Sequence, residues 1–564
     1  TGDDALHYGY WPDGKADLSL AQAQHEHSKM LLDYFPPPCK VLDVGCGLGL
    51  MSGELYKKGY QVTAIAPSDS LIAYAEEKHP GPAYINCGFL DDSDILQKQG
   101  YDVILFQESL QYFPELPPVF QKAKDLLREN GRIILCDEVS YNECTHPRSA
   151  VHLATDIERK FLEQGLYVQH HQLIGKQVTP TCEEVLKGFE NCKQDMLKAF
   201  GQSVAGQIEH TINEWHNLQD WYRKQVLGYE VWVLRPSNLL IKAYQADDEK
   251  IIVAEFNRIF SQNRTLNHWR WKYSHNPYGG PFTSIAWDNE QLASHYSAYP
   301  LPLTVDGQQN LTFHVGDTFT LPKYRGVGRG KTNLLSRVVR HFHKSWCIGK
   351  IDFFYGFNTG KIQKLGKGFL SYVPIMPVYE YTFSSTQLKL NKFSKLKRIM
   401  KGYRIELTEQ CGNWADSLFE DAKNDYPMLI SRDKQYLHWR YDQHPDFNYA
   451  YVLLKHWDKV VGWWVIREHE NKLLLVDALF LKQYKKQALQ IIQEVLSAKP
   501  NLIELCGWFA DNPHWWLEEI LDAGFEQHRQ SQKLDMCATF FSTRYQKDDL
   551  VNQFYYTMGD SDLF

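Results

Sequence analysis

The chain has 564 residues, of which 43% are hydrophobic and 23% are charged, and its formal net charge is −7. This length exceeds what one hydrophobic core usually supports, so two to four folded domains are expected. The hydrophobic fraction gives each domain enough apolar surface to bury, so disorder is not the default expectation. The negative net charge gives no broad attraction for phosphate backbones or anionic membranes, which argues against nucleic-acid and membrane partners.

Eleven cysteines are scattered singly, with no CxxC pair and no regular spacing. This pattern predicts neither a zinc knuckle nor a disulfide framework, so no metal site is expected and a reducing, cytoplasmic location is favoured. No run of 18 or more apolar residues predicts a transmembrane helix, and Thr1-Gly2-Asp3-Asp4 is not the charged start of a signal peptide. A cleaved leader upstream of Thr1 stays open.

Residues 40–136 alternate short apolar runs with helical stretches. The strand-like runs are Lys40–Val44, Gln61–Ile65, Ala83–Cys87, Asp102–Phe106 and Arg132–Cys136. Such alternation predicts a parallel sheet with crossover helices. Residues 182–224 have helical spacing and precede the strand-like run Gly228–Leu234, which predicts a helical insertion followed by a return to the sheet.

A glycine-rich turn, Asp43-Val44-Gly45-Cys46-Gly47-Leu48-Gly49, follows the first strand and precedes a helical run. Glycines there let the backbone approach a ligand closely and adopt dihedral angles that side chains forbid. With Gln107–Tyr112 and Leu126–Gly131, the turn makes residues 1–244 resemble class I methyltransferases that use S-adenosylmethionine (SAM). The resemblance implies a Rossmann-like α/β fold with the turn around the methionine part of SAM.

The resemblance also implies a set of SAM contacts. These are Asp43, Gly45, Cys46, Gly47, Gly49, Ser68, Phe89, Leu90 and Gln107. In one departure, Ala66 stands where the family usually has an acidic residue for the ribose, so Ser68 or Asp69 is expected to substitute. The alternative is a cofactor site that has lost its function.

The aromatic segment His7-Tyr8-Gly9-Tyr10-Trp11 resembles the one with which small-molecule methyltransferases close over the cofactor and exclude water. The ring face of Tyr8 is expected to stabilise a sulfonium or ammonium charge, and packing against the sheet edge is the alternative. Residues 182–224 are predicted to form a substrate lid. Candidate bases for the acceptor are Glu108, Glu138 and His25.

An internal repeat marks the second half of the chain. The matching segments are Trp271–Pro277 with Trp439–Pro445, and Leu365–Phe369 with Leu521–Phe525. Two matches in the same order predict related domains at 245–385 and 386–564, following the first domain at 1–244. A Ser-rich and then Lys-rich connector, 384–402, joins the two repeats.

The glycine-rich run Leu321–Thr332 follows an alternating strand, Leu311–Leu321, and opens a predicted helix. Glycines at a helix N-terminus free amides for phosphate oxygens, and basic side chains add charge. The Walker spacing GxxxxGK[ST] is absent. Arg325, Gly328 and Gly330 match the pyrophosphate loop of GNAT-family acyltransferases, which this segment resembles. A basic surface loop without a ligand is the alternative.

The GNAT resemblance implies acetyl-CoA bound between two splayed strands, the second at Ile351–Phe357. The implied contacts are Phe319, Leu321, Arg325, Gly326, Val327, Gly328, Arg329, Gly330, Lys331 and Asn358. Asp317 is the nearest carboxylate and a candidate base for an amine, directly or through water, with holding a turn as the alternative. The family's thiolate acid is a Tyr, but none lies at the matching place in residues 361–366, so Tyr355 and Tyr372 are guesses for this role.

The second repeat has Val476–Leu489 at the corresponding place and no glycine there. Without closely approaching amides it cannot cradle pyrophosphate in the same way, so we predict a GNAT-like domain that has lost coenzyme binding. Its tryptophans are expected in an aromatic core rather than a pocket. They are Trp463, Trp464, Trp508, Trp515 and Trp516.

The sequence thus predicts an α/β protein, a Rossmann-like methyltransferase domain followed by two α+β GNAT domains. The favoured function is a bifunctional enzyme that methylates with SAM and N-acetylates with acetyl-CoA, acting on a small amine-bearing metabolite such as an amino sugar, an amino acid or a natural-product intermediate. One alternative acceptor is a thiol on a carrier protein in polyketide-type biosynthesis. Another alternative is a noncatalytic sensor of SAM and acyl-CoA. The oligomeric state is not predicted.

Overall fold

A computed structural model describes residues 5–13, 17–91, 96, 100–142, 151–358, 360–388 and 398–563. The chain divides into two compact units, Thr1–Ile241 and Lys242–Phe564. Within the described ranges, no helix combines the length and the apolar composition needed to cross a membrane.

The first unit is built on one seven-stranded sheet. Its strands are β1 (Lys40–Val44), β2 (Gln61–Ala66), β3 (Ala83–Asn86), β4 (Tyr101–Gln107), β5 (Leu127–Ser140), β6 (Leu166–Leu173) and β7 (Leu227–Pro236). Their order is β3-β2-β1-β4-β5-β7-β6, with β7 antiparallel to both neighbours. Because the strand order reverses between β1 and β4, the loops after these two parallel strands open at one edge of the sheet.

Helices cover both faces of this sheet. They are Leu20–Leu32, Leu50–Lys57, Asp69–Lys78, Leu116–Leu126, Ala154–Glu163, Gly175–Val178, Pro180–Phe200 and Ala205–Arg223. Neighbouring residues of β1 belong to opposite cores, since Leu42 packs with Phe120 whereas Val41 packs with Trp215. Burial on both faces is the reason that these strands read as continuous apolar runs in the sequence.

The predicted insertion forms the two helices Pro180–Phe200 and Ala205–Arg223, joined by a short turn at Gln202–Val204. Leu186 of the first helix and Leu218 of the second are buried in the same core as Tyr229 of β7. The insertion therefore packs on the sheet, and its role as a lid stays a prediction.

The second unit contains two sheets. After β8 (Leu239–Ala243) at the unit boundary, the strands are β9 (Phe282–Asp288), β10 (Gln291–Val305), β11 (Gln308–Thr320), β12 (Phe353–Asn358), β13 (Val373–Pro377), β14 (Tyr379–Ser384), β15 (Tyr403–Thr408), β16 (Met428–Ile430), β17 (Ala450–His456), β18 (Lys459–His469), β19 (Lys472–Phe480), β20 (Glu504–Trp508), β21 (Glu526–Arg529), β22 (Asp535–Phe540) and β23 (Phe554–Tyr555). The helices are Asp248–Phe260, Leu266–Trp269, Leu334–Phe342, Gly360–Phe369, Trp414–Ala422, Lys434–Leu437, Lys485–Ser497, His514–Asp522 and Lys547–Gln553.

The two sheets of this unit exchange strands. The first has the order β13-β22-β12-β11-β10-β16-β23, and the second has the order β15-β17-β18-β19-β20-β14-β21. The consecutive strands β13 and β14 therefore lie in different sheets, and β16, β22 and β23 of the second repeat complete the first sheet. The domain boundary predicted at 385 falls just after this crossing and stays a prediction.

In each sheet two parallel strands separate. β11 pairs with β12 at Phe313 and His314 only, after which β11 continues along β10 and β12 continues along β22. β19 pairs with β20 from Lys472 to Leu475 and then continues along β18. The splayed strands predicted for the first repeat are therefore observed, and the second repeat has the same geometry.

The repeats contact each other through equivalent tryptophans. Trp271 Nε1 donates a hydrogen bond of 2.7 Å to the carbonyl of Trp439, whose Nε1 donates one of 3.0 Å to the carbonyl of Trp271. The two indole rings stack with centroids 5.4 Å apart. Such reciprocal contacts are what a local two-fold axis between the repeats produces.

A buried ion network lies beside this axis in the second repeat. Arg432 Nε donates to Asp477 Oδ1 at 3.0 Å, and its Nη2 donates to Asp560 Oδ2 at 2.6 Å. Tyr441 donates its hydroxyl proton to Asp477 Oδ2 at 2.8 Å. These groups are fully buried, so each charge depends on its partner for compensation.

The first repeat holds the equivalent group. Arg264 and Tyr273 both donate to Asp317 Oδ2, the tyrosine at 2.8 Å. Arg264, Tyr273 and Asp317 occupy the positions of Arg432, Tyr441 and Asp477 in the repeat. The repeated sequence motif therefore carries a repeated arginine–aspartate ion pair, which is fully buried in the second repeat and partly buried in the first. The sequence alone did not reveal it.

Replacing Arg432 by Met would leave Asp477 and Asp560 buried without their cation. We expect the free energy of unfolding of the second unit to fall by about 3–5 kcal/mol, measured by urea denaturation. Arg404→Met, the control, removes an exposed arginine of the same repeat. It is expected to change the free energy of unfolding by about 0.5 kcal/mol or less. A loss below about 1 kcal/mol for Arg432→Met would contradict the dependence of both carboxylates on this cation.

Candidate functional sites

A cavity of about 400 Å³ lies at the edge of the first sheet, where β1 and β4 end. Four segments that are distant in sequence form its wall: Ala5–His7, Gly45–Leu48, Ala66–Ser68 and Gln107–Glu108. Convergence of loops at a topological switch point is the usual position of a ligand site in an open α/β sheet.

The glycines of the turn are required by its geometry. Gly45, Gly47 and Gly49 have φ values of +78°, +55° and +86°. A Cβ on Gly45 would lie 2.7 Å from the Cβ of Ser109, and one on Gly49 would lie 2.8 Å from that of Ala75, whereas one on Gly47 would contact nothing closer than 3.7 Å. Gly45 and Gly49 therefore allow close packing behind the turn, and Gly47 faces the cavity.

Asp43 is buried at the end of β1 and lines the cavity. Its Oδ2 accepts a hydrogen bond of 2.5 Å from the hydroxyl of Ser52. Burial raises the pKa of Asp43 to about 6, and the bond from Ser52 opposes this rise. A desolvated carboxylate with one hydrogen bond favours a cation or an N–H donor in the cavity.

Two further cavity residues have buried polar atoms without a hydrogen-bond partner among the described residues, Gln107 Nε2 and His7 Nε2. His7 Nδ1 donates to the carbonyl of Tyr8, so Nε2 is the unprotonated acceptor of a neutral ring, and burial lowers the pKa of His7 to about 4. An unsatisfied buried polar atom costs about 1–3 kcal/mol. Both atoms are sealed from solvent as well as unpaired, so a ligand would reach them only after these side chains move.

Glu108 forms the inner wall of the cavity. Its Oε1 accepts bonds from the amide of Tyr8 at 2.7 Å and from the hydroxyl of Tyr229 at 2.6 Å. Burial raises the pKa of Glu108 to about 8. Behind it, Glu138 Oε1 accepts the hydroxyl protons of Tyr8 and Tyr222 at 3.2 and 2.6 Å. Tyr8 thus positions two carboxylates, and its ring packs on Tyr222 and Tyr229, so the packing alternative accounts for its placement.

The remaining predicted SAM contacts fall in different places. Ser68 lines the cavity and caps the helix Asp69–Lys78, because its hydroxyl accepts the amide of Leu71. Cys46 also lines the cavity. Phe89 is buried against Phe106, and Leu90 is exposed, so these two predicted contacts lie away from the cavity wall. His25, a candidate base, instead pairs with Glu54 at the surface.

After the glycine loop of the GNAT-like segment, the helix begins later than the sequence predicts. Residues Gly330–Thr332 form a 3₁₀ turn, and the helix begins at Leu334 rather than within the loop. The amide of Leu334 donates to the carbonyl of Val327, and that of Leu335 donates to the side chain of Asn333, each at 3.0 Å. The first two amides of the helix are therefore hydrogen-bonded within the protein, and phosphate binding at this helix N-terminus stays a prediction.

The loop itself keeps the features of an anion site. Gly328 has φ +71°, and a Cβ there would lie 2.1 Å from the carbonyl oxygen of Thr332. Among the described residues, the amides of Gly326 and Gly328 have no hydrogen-bond acceptor. The predicted basic side chains, Arg325, Arg329 and Lys331, are exposed. Loop amides and flexible cations are available to phosphate oxygens.

The predicted strand contacts line the separated part of β11. Phe319 is buried and stacks on His295, with ring centroids 5.0 Å apart, and Leu321 donates its amide to the carbonyl of Ala293. Asn358 ends β12 opposite Asp535 of β22. These residues sit where β11 and β12 diverge, but the Leu321 amide is already used within the sheet.

Asp317 is not placed as a free base. Its Oδ2 accepts from Arg264, from Lys272 Nζ at 3.3 Å and from the hydroxyl of Tyr273. Burial alone would raise the pKa of Asp317, but Arg264 and Lys272 overcome this effect and hold it well below its usual value. A fully paired carboxylate of low pKa accepts protons poorly, so this geometry favours the structural alternative for Asp317.

The two tyrosines considered as thiolate acids are both buried. Tyr372 shares a hydrogen bond of 2.7 Å with the hydroxyl of Tyr296, and Tyr355 donates to the carbonyl of Asp560 at 3.4 Å. Burial raises the pKa of both hydroxyls. Neither placement favours proton transfer to a bound thiolate.

A cleft of about 610 Å³ lies beside Thr318, in the part of β11 that has separated from β12. Phe256 and Phe260 form one wall, and His268 and Asp446 also line it. The sequence analysis did not identify this cleft, because its residues come from both repeats and no local pattern links them.

One group outside these sites has the composition of a metal site. Ligand atoms of Glu158, His171 and Glu230 lie within 4.8 Å of one another. His171 Nε2 already contacts Glu230 Oε2 at 2.5 Å, and its ring is stacked parallel to that of Trp232. The hydrogen bond between His171 and Glu230 accounts for this arrangement.

Two family models match the chain. One, described as a methyltransferase domain, matches residues 37–221, and the other, described as an acetyltransferase (GNAT) domain, matches residues 240–358. The first match includes the cavity turn, and the second ends at Asn358, the last residue of β12.

Three curated relatives match parts of the chain. Methyltransferase GfsG of Streptomyces halstedii is 29% identical over 143 residues, which are 24% of this chain and 51% of the relative. Biotin biosynthesis bifunctional protein BioHC of Cellvibrio japonicus (strain Ueda107) is 25% identical over 161 residues, 28% of this chain and 30% of the relative. Ubiquinone biosynthesis O-methyltransferase of Coxiella burnetii is 35% identical over 96 residues, which are 16% of this chain and 41% of the relative. The chain thus spans about half or less of these relatives.

Solved structures match at lower identity. The [4+2]-cyclase SpnF is 16% identical, with a TM-score of 0.36, covering 41% of this chain and 88% of that one. A conserved protein of unknown function from Enterococcus faecalis V583, described as a probable N-acyltransferase, is 14% identical, with a TM-score of 0.42. The match covers 54% of this chain and 73% of that one.

The pKa of Glu108 gives a pH-dependent prediction for the first cavity. With a pKa of about 8, Glu108 is mostly protonated at pH 7. A cationic ligand such as SAM would lower this pKa, so binding would release protons, and affinity would rise with pH until about 8. We expect an increase on the order of tenfold between about pH 6.5 and 8.5, with a binding enthalpy that depends on the ionisation enthalpy of the buffer.

Titration calorimetry in two buffers measures this effect. Asp43, with a pKa of about 6, contributes in the same direction at the lower end of the range. Glu108→Gln is the matched variant, which should still bind but release fewer protons. Equal buffer dependence in the variant and the original protein would contradict the role of Glu108.

Proposed function

The chain carries a methyltransferase domain followed by a GNAT acetyltransferase domain, and we propose that it is a bifunctional enzyme that uses SAM and acetyl-CoA. Its acceptor is a small amine-bearing metabolite. The observation that carries the proposal is the cavity of the first unit, where the glycine turn meets the carboxyl groups of Asp43 and Glu108.

The residues around this cavity fit SAM. The turn Gly45–Leu48 and Asp43 would hold the methionine part, and Ala66–Ser68 would lie beside the ribose. Bound SAM supplies a methyl group on a positively charged sulfur, which buried carboxylates such as Asp43 and Glu108 stabilise. The protein's own part is to position the acceptor and exclude water, since methyl transfer is an in-line displacement.

The opening between β11 and β12 and the exposed basic loop Arg325–Lys331 support an acetyl-CoA site in the first repeat. The loop amides of Gly326 and Gly328 would bind phosphate oxygens. The acyl group would then lie near Phe319, next to the cleft at Thr318.

The corresponding opening in the second repeat is closed by the chain itself. Thr557 pairs with Phe509, which follows β20, and donates its hydroxyl proton to Asp477 of β19 at 2.8 Å. Tyr555 donates to the carbonyl of Ala478, also at 2.8 Å. Because protein groups occupy this space, we propose a single acetyl-CoA site, in the first repeat.

Incubation of the full chain with SAM, acetyl-CoA and a panel of small amines tests this proposal. Mass spectrometry should find products that gain 14 and 42 mass units. Gly45→Val adds a side chain at a positive φ beside Ser109 and should lower methylation on the order of 100-fold while sparing acetylation. Gly328→Val should lower acetylation while sparing methylation, because the new side chain would collide with the carbonyl oxygen of Thr332 and distort the loop.

Gly206→Val is the matched control, since a Cβ at Gly206 meets nothing within 4 Å, and it should affect neither product. Acetylation of a phosphopantetheinyl carrier protein alone would contradict the small-amine acceptor and support the carrier-protein alternative. Binding of both donors without turnover of any acceptor would contradict catalysis and support the sensor alternative.

A further inference from the structure

The cleft beside Thr318 contains a histidine and an aspartate contributed by different repeats. His268 comes from the helix Leu266–Trp269 of the first repeat, and Asp446 follows the helical turn His438–Asp442 of the second. His268 Nδ1 forms a short hydrogen bond with Asp446 Oδ2. Since the carboxylate accepts, Nδ1 carries the proton and Nε2 has the free lone pair.

The ring of His268 is held in a fixed orientation. Its own amide donates to the hydroxyl of Thr265 at 3.1 Å, which fixes the start of the short helix. The imidazole lies edge-on to Trp271 and to His444, with centroids 5.5 and 5.6 Å away. Contacts from both repeats therefore leave the ring little freedom, as a positioned proton acceptor requires.

Nε2 of His268 is available to a ligand. Among the described residues this nitrogen has no hydrogen-bond partner. It is not buried away from solvent, and the His268 side chain is 10% exposed. Burial, followed by the charges of Arg264 and Lys272, lowers the pKa of His268 to about 4. The imidazole is therefore neutral at pH 7 with its Nε2 lone pair free, although it is a weaker base than an exposed histidine.

We propose that His268, oriented by Asp446, receives the proton that the acceptor amine loses in acetyl transfer. This inference rests on the proposed acetyl-CoA-dependent function. His268 is then a catalytic residue and Asp446 a positioning residue. The second repeat, without a coenzyme site of its own, supplies half of this pair.

The chemical step balances without a further reactant. The amine enters as the free base after losing its ammonium proton to water. Its nitrogen lone pair forms the new C–N bond with the thioester carbonyl carbon, and the C–S bond breaks with its electron pair leaving on sulfur. The N–H proton passes to His268 Nε2 and from there to the sulfur, for which an imidazolium of low pKa is a good acid.

The walls of the cleft indicate the kind of amine. Phe256, Phe260 and Phe447 line it, while Asp317 and Asp562 are already bound by Lys272 and other cations. The polar side chains of Ser261, Gln262, Asn263 and Thr318 line the cleft as well, so an amine that carries both an aromatic ring and a hydroxyl group suits this mixed lining. We therefore use tyramine as the probe.

The first test measures CoA release from acetyl-CoA and tyramine by the full chain. His268→Asn keeps a donor toward Asp446 but removes the proton acceptor, and should lower kcat on the order of 100-fold with little change in the KM for acetyl-CoA. Asp446→Asn should lower kcat on the order of tenfold. Added imidazole should restore part of the activity of His268→Ala, which a merely structural role would not allow.

The second test does not depend on turnover. Diethyl pyrocarbonate modifies unprotonated imidazole, and peptide mass spectrometry should show modification of His268 that tyramine prevents. The exposed His275, in the same repeat, is the internal control and should react equally with and without tyramine. His275→Gln should also retain full CoA release.

The outcomes separate the two proposals. If the protein acetylates tyramine while His268→Asn stays within about threefold of the original kcat, the inference is overturned and the proposed function stands. If tyramine protects His268 but no CoA is released, the cleft binds the amine and the proposed acetylation is wrong. If tyramine gives neither protection nor CoA release, the inference is overturned.

Discussion

The buried pairing of arginine with aspartate holds the second unit together. Each repeat has one such pair, Arg264 with Asp317 and Arg432 with Asp477. The second pair is fully buried, and its charges cannot be buried unless both members are in place. The chain end near Asp560 completes the pair in the second repeat. Asp477, which neutralises Arg432, also accepts a hydrogen bond from Thr557, so the ion pair and the chain segment beside β19 share one carboxylate.

Much of the fold was predictable because burial leaves a clear trace in the sequence. β1 and β4 are buried on both faces, so they read as short apolar runs, and the glycine turn follows at the expected place. The repeated Trp271 and Trp439 segments likewise predicted related domains. The exchange of β13 and β14 between sheets was not predictable, because both strands read as ordinary strands and only long-range pairing distinguishes them.

The site was predictable where backbone conformation dictates the residue type. Gly45 and Gly47 line the cavity, and their positive φ values explain why the sequence has glycine at both positions. Phe89 packs in the core instead, because an aromatic residue after a strand fits either environment. Asp317 looked like a base because a sequence does not show the Arg264 and Lys272 that bind it. His268 and Asp446 are 178 residues apart, so no local pattern could pair them.

The exchanged strands have a consequence for how this half of the protein can be rearranged. A gene split between the repeats would leave β22 without β12 and β14 without β20, and each fragment would expose an unpaired sheet edge. Such edges are templates for aggregation. The two repeats therefore depend on each other for sheet pairing, and neither can be removed as a module without exposing an edge of the other.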